Sequence, residues 1–289
     1  MILSILIIPI FIILFYFSLK SLGLIFFKIL SIDNEYSDDV YPIIAFPIIF
    51  FLVTILHFFV KLNPVLNLLI LILAFIVSIF YFKKKGNKFI FFIVLLLTSI
   101  QFVGHNVNED YGYYHLPYII NFVSDKLILG LSHLSMVQGY NSAWLNVSAF
   151  FFLPVMMDKS VHFANSLIFF SILIYYFNFL LNKKNLKLFP ISSIYALFVS
   201  SFLIIKYSRL NSFGVDAPGH IYASFVFFLF LYFYEYKNYN FRKFTFNLIS
   251  LFSIFCILVK LSYIPLILIP FICLILEKKI LDVKLFLIM

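Results

Sequence analysis

Charge is what this sequence has least of. Only 11% of its 289 residues are Asp, Glu, Lys or Arg, while 64% are hydrophobic and the mean hydropathy is +1.10. Soluble domains carry roughly 25% charged residues, so a soluble globular chain is excluded. Cysteine is nearly absent: Cys256 and Cys273 both lie in apolar runs, which rules out a disulfide framework and reads as two buried small hydrophobes. Low-complexity linkers and internal repeats are also missing, and no stretch would split off a soluble domain. The net charge of +9 does not imply a nucleic-acid partner, because the basic residues are dispersed in loops at the ends of apolar runs.

What is present is a succession of apolar runs, each near the roughly 20 residues needed to cross a bilayer, separated by short basic loops. They do not alternate, so the expected fold is all-α, a polytopic helical membrane bundle, and not a barrel. Nine spans are expected, at about 2–19, 41–60, 64–82, 88–104, 160–181, 188–206, 220–236, 244–261 and 263–276. Met1 to Phe17 lacks a basic leader and no small-residue cleavage pattern follows, so it reads as a retained first helix. Pro64, Pro190 and Pro265 fall near span starts, where a missing N–H costs least, whereas Pro47 and Pro270 fall inside and would kink. The chain stops at Leu-Phe-Leu-Ile-Met289, a few residues into a further apolar run, as a piece of a longer protein would.

Orientation follows from the basic residues. With the first terminus outside, Lys83, Lys84, Lys85, Lys183, Lys184, Lys278 and Lys279 all fall on the cytoplasmic side. The opposite side carries only Lys61, Lys126, Lys159, Lys206, Arg209 and Lys260. That bias places two polar gaps, 106–142 and 208–220, on the extracytoplasmic side of a bacterial inner membrane. Asp33 to Asp39 would then be cytoplasmic, which the rule tolerates because acids hardly affect it.

The first gap has its own helical signals. Leu116, Ile119, Ile120 and Val123 share one face and Tyr114, Tyr118, Asn121 and Asp125 the other, with Pro117 in the first turn, so an amphipathic helix is expected in the interface plane. Gly139, Asn141 and Ser142 supply a turn and a cap for a second short helix, Ala143 to Phe152, closed by Pro154 and too short to span. Trp144 suits a membrane–water boundary.

Candidate chemistry concentrates in these gaps. Glu109 and Asp110 lie just past the fourth span. Asp216 enters from the second gap, where Gly214, Pro218 and Gly219 read as a tight turn. Acids converging from two loops could act as base and orienting partner for a hydroxyl acceptor. His115 and His133 are able to bind phosphate, shuttle a proton or ligate a divalent metal beside the carboxylates, but no spacing matches a zinc signature and no cofactor is expected. Arg209 and Lys260, with Lys206, lie against the positive-inside trend and would suit a lipid phosphate, Arg209 through its planar fork. Tyr111, Tyr113, Tyr114 and Tyr118 could stack on a sugar ring.

The run Glu109-Asp110-Tyr-Gly-Tyr-Tyr-His115-Leu-Pro, followed by Gly130-Leu-Ser-His133-Leu and Gly139-Tyr-Asn141-Ser142-Ala-Trp144, resembles an uncharacterised family of bacterial multi-pass membrane proteins. That family is similar to the GT-C glycosyltransferases, which transfer sugars from polyprenyl-phosphate donors at the non-cytoplasmic face. The chain reads as a single transmembrane domain over 1–289; the resemblance implies a GT-C-like core in 88–280, and the three N-terminal spans in 1–87 depart from those enzymes, which usually have one span before the acidic loop. The resemblance makes Asp110 the catalytic acid, Glu109 its neighbour and Asp216 a second acid. Tyr111, Tyr114, His115, His133, Asn141, Arg209 and Lys260 would contact substrates, namely a polyprenyl-phosphate-linked sugar and a glycan or lipid acceptor. The alternatives are an O-antigen-type polymerase or ligase, which would lean on basic and His residues, and a transporter of lipid-linked glycans. A transporter would need charged groups deep in spans, which only His57 and His162 approach.

Overall fold

The structure, a computed structural model, describes residues 2–30, 37–81, 87–103, 110–128, 130, 133, 142–182, 190–207 and 214–277. In chain order its helices are α1 (Ile2–Ile29), α2 (Tyr41–Phe59), α3 (Pro64–Tyr81), α4 (Lys88–Val103), α5 (Leu116–Ser124), α6 (Ala143–Phe150), α7 (His162–Leu180), α8 (Ile191–Lys206), α9 (Asp216–Glu235), α10 (Tyr239–Val259) and α11 (Leu268–Leu276). Six helical segments are long and apolar enough to cross a membrane, and three shorter apolar ones lie at Lys88–Val103, Ile191–Lys206 and Leu261–Leu276. The nine apolar segments coincide with those expected. The short ones reach about 24 Å at 1.5 Å per residue, somewhat less than a hydrocarbon core of about 30 Å.

Lipid exposure explains how these helices are sided. In α3 the buried residues are Asn67, Leu71, Ala74 and Ser78, a single stripe at helical spacing, while Leu69, Leu73, Ile79 and Phe80 face outward. Small and polar residues turned inward with large apolar ones outside is the pattern of helix packing in lipid, where burying a leucine gains little. α8 repeats it, with Ser192, Ser193, Ala196 and Ser200 inside and Phe198 and Ile205 outside. Some buried hydroxyls bond back to their own helix: Ser99 donates to Leu95 O at 2.7 Å and Ser171 to Leu167 O at 2.6 Å.

α7 is the central helix. Of its apolar window 78% is buried, against 22% for α3, and it packs on α1, α2, α4, α6, α8 and α9. Aromatic rings fill these seams edge to face, as in Tyr16 on Phe170 at 5.0 Å and Tyr175 on Phe225 at 5.2 Å. Such pairs add about 0.5–1.5 kcal/mol each beyond their area. α1 turns back onto α2 through a close approach at Gly23, where a Cβ would overlap the backbone of Tyr41.

Polar ties close one end of the bundle. Asp39, just before α2, accepts from Asn178 Nδ2 at 2.8 Å and Tyr16 Oη at 3.4 Å, and pairs with Lys20 at 3.6 Å. Glu235, at the unfavourable C-terminus of α9, accepts from Ser192 N at 3.0 Å and Ser192 Oγ at 2.5 Å, so it caps the exposed N–H end of α8. Arg242 pairs with Glu277 and lies over the Phe233 ring at 4.4 Å.

Three local expectations are corrected. Pro270 does not kink a span, because Leu261–Ile267 is a 3-10 helix and α11 starts only at Leu268, leaving Pro270 in a first turn that needs no N–H from it. Trp144 does not face lipid headgroups as an exposed boundary residue would; its ring is fully buried between Phe46 and Tyr222. α6 is therefore an internal element, all eight of its residues buried, and not an interfacial one. In α5 the inward face is Ile119 and Phe122, continued from Tyr111 and His115, while Ile120 is exposed. A π-helical turn over Tyr111–His115 precedes α5.

Candidate functional site

The opposite end of the bundle holds the described residues of both polar gaps. α5 is anchored by backbone bonds: Leu62 N donates to Phe122 O at 3.0 Å and Leu127 N to His57 O at 2.9 Å. His57 stacks on Phe122 at 3.8 Å between centroids, and its Nε2 lies 3.1 Å from Asp125 O. The start of α6 is fixed from two sides. Ser142 Oγ accepts from Trp144 N at 3.2 Å, the expected cap, and donates to Val259 O at 2.7 Å near the end of α10. Trp144 Nε1 then donates to Asn165 Oδ1 at 2.5 Å, and Asn165 Nδ2 donates to Gly214 O at 3.2 Å. This relay joins the end of the first gap to the end of the second through α7.

Asp216 does not sit in a turn. It is the first residue of α9, Pro218 lies in the same first turn, and Gly219 is helical. An acid there meets the positive end of the helix dipole, and proline is tolerated because its N–H would be unused. Gly219 has another reason to be glycine: a Cβ would come within 2.5 Å of the Tyr263 ring, and Cys256 Sγ lies 3.3 Å from Gly219 O. α9 and α10 thus cross almost in backbone contact, and Lys260, at the C-terminus of α10, reaches Asp216 and pairs with it. One helical turn after Asp216, His220 places Nδ1 2.5 Å from Tyr207 Oη, with Tyr263 edge-on at 6.0 Å.

His115 links the two gaps. It is buried, and desolvation pushes its pKa below the ordinary histidine value; the charges of Asp110 and Asp216 both act on it in the opposite direction. Acids from separate loops therefore bear on one imidazole. Tyr114 packs edge-on against His115 at 4.3 Å. Tyr111 is engaged elsewhere: it is buried, donates to Asp158 O at 3.1 Å and packs on His162, and burial together with the Asp158 charge pushes its hydroxyl up to about 12. His133 is exposed. Glu109, Asn141 and Arg209 lie outside the described residues. Among the described residues no group of three or more His, Cys, Asp or Glu is placed to hold a metal ion.

His220, Tyr207, Tyr263 and Asn165 belong to this end of the bundle and were not among the sequence candidates. A signal for His220 existed. It lies four residues after Asp216, hence on the same helical face, but starting the span at 220 left both in a loop.

Residues 1–289, the whole chain, match the model of a family described as a domain of unknown function (DUF8201). The chain belongs to this family. No curated protein and no solved structure matches it. For this member of the family the structure establishes an all-α bundle in which, among the described residues, six helices are long and apolar enough to cross a membrane, and Ser142 and Gly214, at the edges of the two polar gaps, are joined through Trp144 and Asn165.

Proposed function

We infer that the protein transfers a sugar from a polyprenyl-phosphate donor to a hydroxyl acceptor at the extracytoplasmic face of a bacterial inner membrane, in the synthesis of a surface polysaccharide or lipid glycan. The observation that supports this reading is the Lys260–Asp216 pair at the end of the bundle where His115 is buried within range of the charges of Asp110 and Asp216. In it, Asp110 accepts the proton of the acceptor hydroxyl as that oxygen bonds the anomeric carbon. The bond to phosphate breaks on the opposite face, and the phosphate leaves with the bonding electrons toward Lys260. His115, with Tyr114 packed edge-on against it, would flank the reacting groups. A carboxylate base and a cation on the leaving group are the two charges such a displacement needs.

The basic ends named from the sequence orient the site outward. His57 and His162, the titratable groups that a transporter would want deep in its spans, both lie at the site end, His57 beside Asp125 and His162 beside Tyr111. Asp110→Asn should abolish transfer of labelled sugar from polyprenyl phosphate in membranes while the chain inserts normally. Unchanged transfer would remove the mechanism. The central place of His115 gives a polymerase or ligase reading its one support; in that case His115→Ala would cost far more than Asp110→Asn.

A further inference from the structure

The two residues that sequence reasoning assigned to opposite tasks, Asp216 as an acid and Lys260 as a holder of phosphate, are each other's partners. We propose that this pair is an anion-exchange latch: Asp216 occupies Lys260 until the phosphate of a lipid headgroup displaces it. The inference rests on the anionic-substrate half of the function proposed above.

Three features of the geometry carry it. The pair is solvent-accessible, with 39% of the Lys260 side chain and 63% of that of Asp216 exposed. Exposed pairs of this kind are weak and easily exchanged. The backbones beneath are held: Cys256 and Gly219 join α9 to α10, Tyr263 packs on Gly219, and Ser142 bonds Val259 beside Lys260. Exchange can therefore proceed by side-chain movement, the lysine stem swinging without moving a helix. Finally, the surroundings favour a second anion over a lone carboxylate. Lys206 lies near enough for its charge to act on His220, as do those of Asp216 and Lys260, and Tyr207 and Tyr263 offer hydroxyls in the same group. A phosphate brings more charge and more acceptor oxygens to these donors than Asp216 does.

The test is binding, read without any transfer. The full chain in nonionic detergent is titrated with dodecyl phosphate and, separately, with inorganic phosphate. Asp216→Asn should tighten dodecyl phosphate by up to about fivefold, the equivalent of about 1 kcal/mol released from a surface ion pair. Lys260→Gln should weaken it in either background, and Lys260→Arg should retain it. Asp158→Asn makes the same charge change at the same end of the bundle and should stay within about twofold of wild type. Inorganic phosphate following the same order identifies the headgroup alone as the ligand; a response to dodecyl phosphate only identifies the lipid. The latch is overturned if Asp216→Asn binds no tighter than wild type, if Asp158→Asn tightens binding equally, or if no variant binds either probe. Failure of the transferase reading, seen as unchanged transfer in Asp110→Asn, leaves this result intact and is separately recognised.

Discussion

Asn165 is the side chain whose removal should tell most about how the site is held. It is buried in α7, accepts from Trp144 Nε1 and donates to Gly214 O, so Asn165→Ala orphans one indole N–H and one carbonyl in apolar surroundings. Each orphaned group costs about 1–3 kcal/mol in general. Hydrogen bonds between membrane helices measure nearer 1 kcal/mol, because the unfolded helices find other partners. A loss of about 2–4 kcal/mol, including the small cavity, is the expected total. The assay is unusually clean because Trp144 is the single tryptophan of the chain. Unfolding by sodium dodecyl sulfate in mixed micelles, followed by emission, should show an earlier midpoint, and the folded-state emission should itself shift as the indole loses its acceptor. Trp144→Phe, followed by circular dichroism, should cost less, since it orphans only Asn165 Oδ1. The double variant should recover about 1 kcal/mol of coupling. An Asn165→Ala protein with the wild-type midpoint and unshifted emission would refute the relay, and with it the account of why the loop at Gly214 sits where it does.

Other perturbations test separate parts of the argument. Gly219→Ala should destabilise by about 1–3 kcal/mol through overlap with Tyr263, and Tyr263→Leu should relieve most of it; additive losses would show that the close crossing of α9 and α10 is not the cause. His115 has a folded pKa below its unfolded value of about 6.5, so the unfolded chain binds the extra proton and stability is lost as pH falls from about 6.5 through the folded pKa. His115→Gln should flatten that part of the pH–stability curve, and an unchanged slope would count against burial of a neutral imidazole. Cys256 and Cys273 are both buried, so single introduced cysteines can be read directly. Asp125→Cys should label with an impermeant maleimide from outside intact cells and Asn87→Cys only after the membrane is opened; the reverse would invert the orientation and move the proposed chemistry to the cytoplasm.

The sequence made the bundle legible because hydrocarbon length is a blunt requirement: about 20 apolar residues either are or are not there. The same bluntness hid the interior of the gaps. Trp144 was assigned to a boundary because tryptophan favours one, yet with Asn165 as acceptor its N–H can be buried, and no local pattern announces a partner 21 residues away. The π turn before α5 was not legible, because a regular periodicity does not announce one. Asp216 looked like a loop residue because Pro218 and Gly219 are turn signals, and only the crossing of α9 over Tyr263 supplies the other reason for a glycine. Conversely, the joint placement of the two gaps was legible, since an even number of crossings puts them on one side whatever their internal structure.

The contrast between the two ends of the bundle argues for where change is permitted. At the basic end Asp39 and Glu235 each accept at least two hydrogen bonds from neighbouring helices, Arg242 is locked between Glu277 and Phe233, and the groups involved are mostly covered. Breaking any of these strands a polar group away from water, which is costly, so that end has one arrangement. At the site end the backbones are fixed just as firmly, through Ser142, Asn165 and Gly219, but the charges they present meet solvent. Asp216 and Lys260 can part because water or a ligand takes up what each lets go. A rigid scaffold under exchangeable charges can change partners without changing fold, which is the arrangement an anionic substrate requires if it is to enter and leave a membrane surface repeatedly.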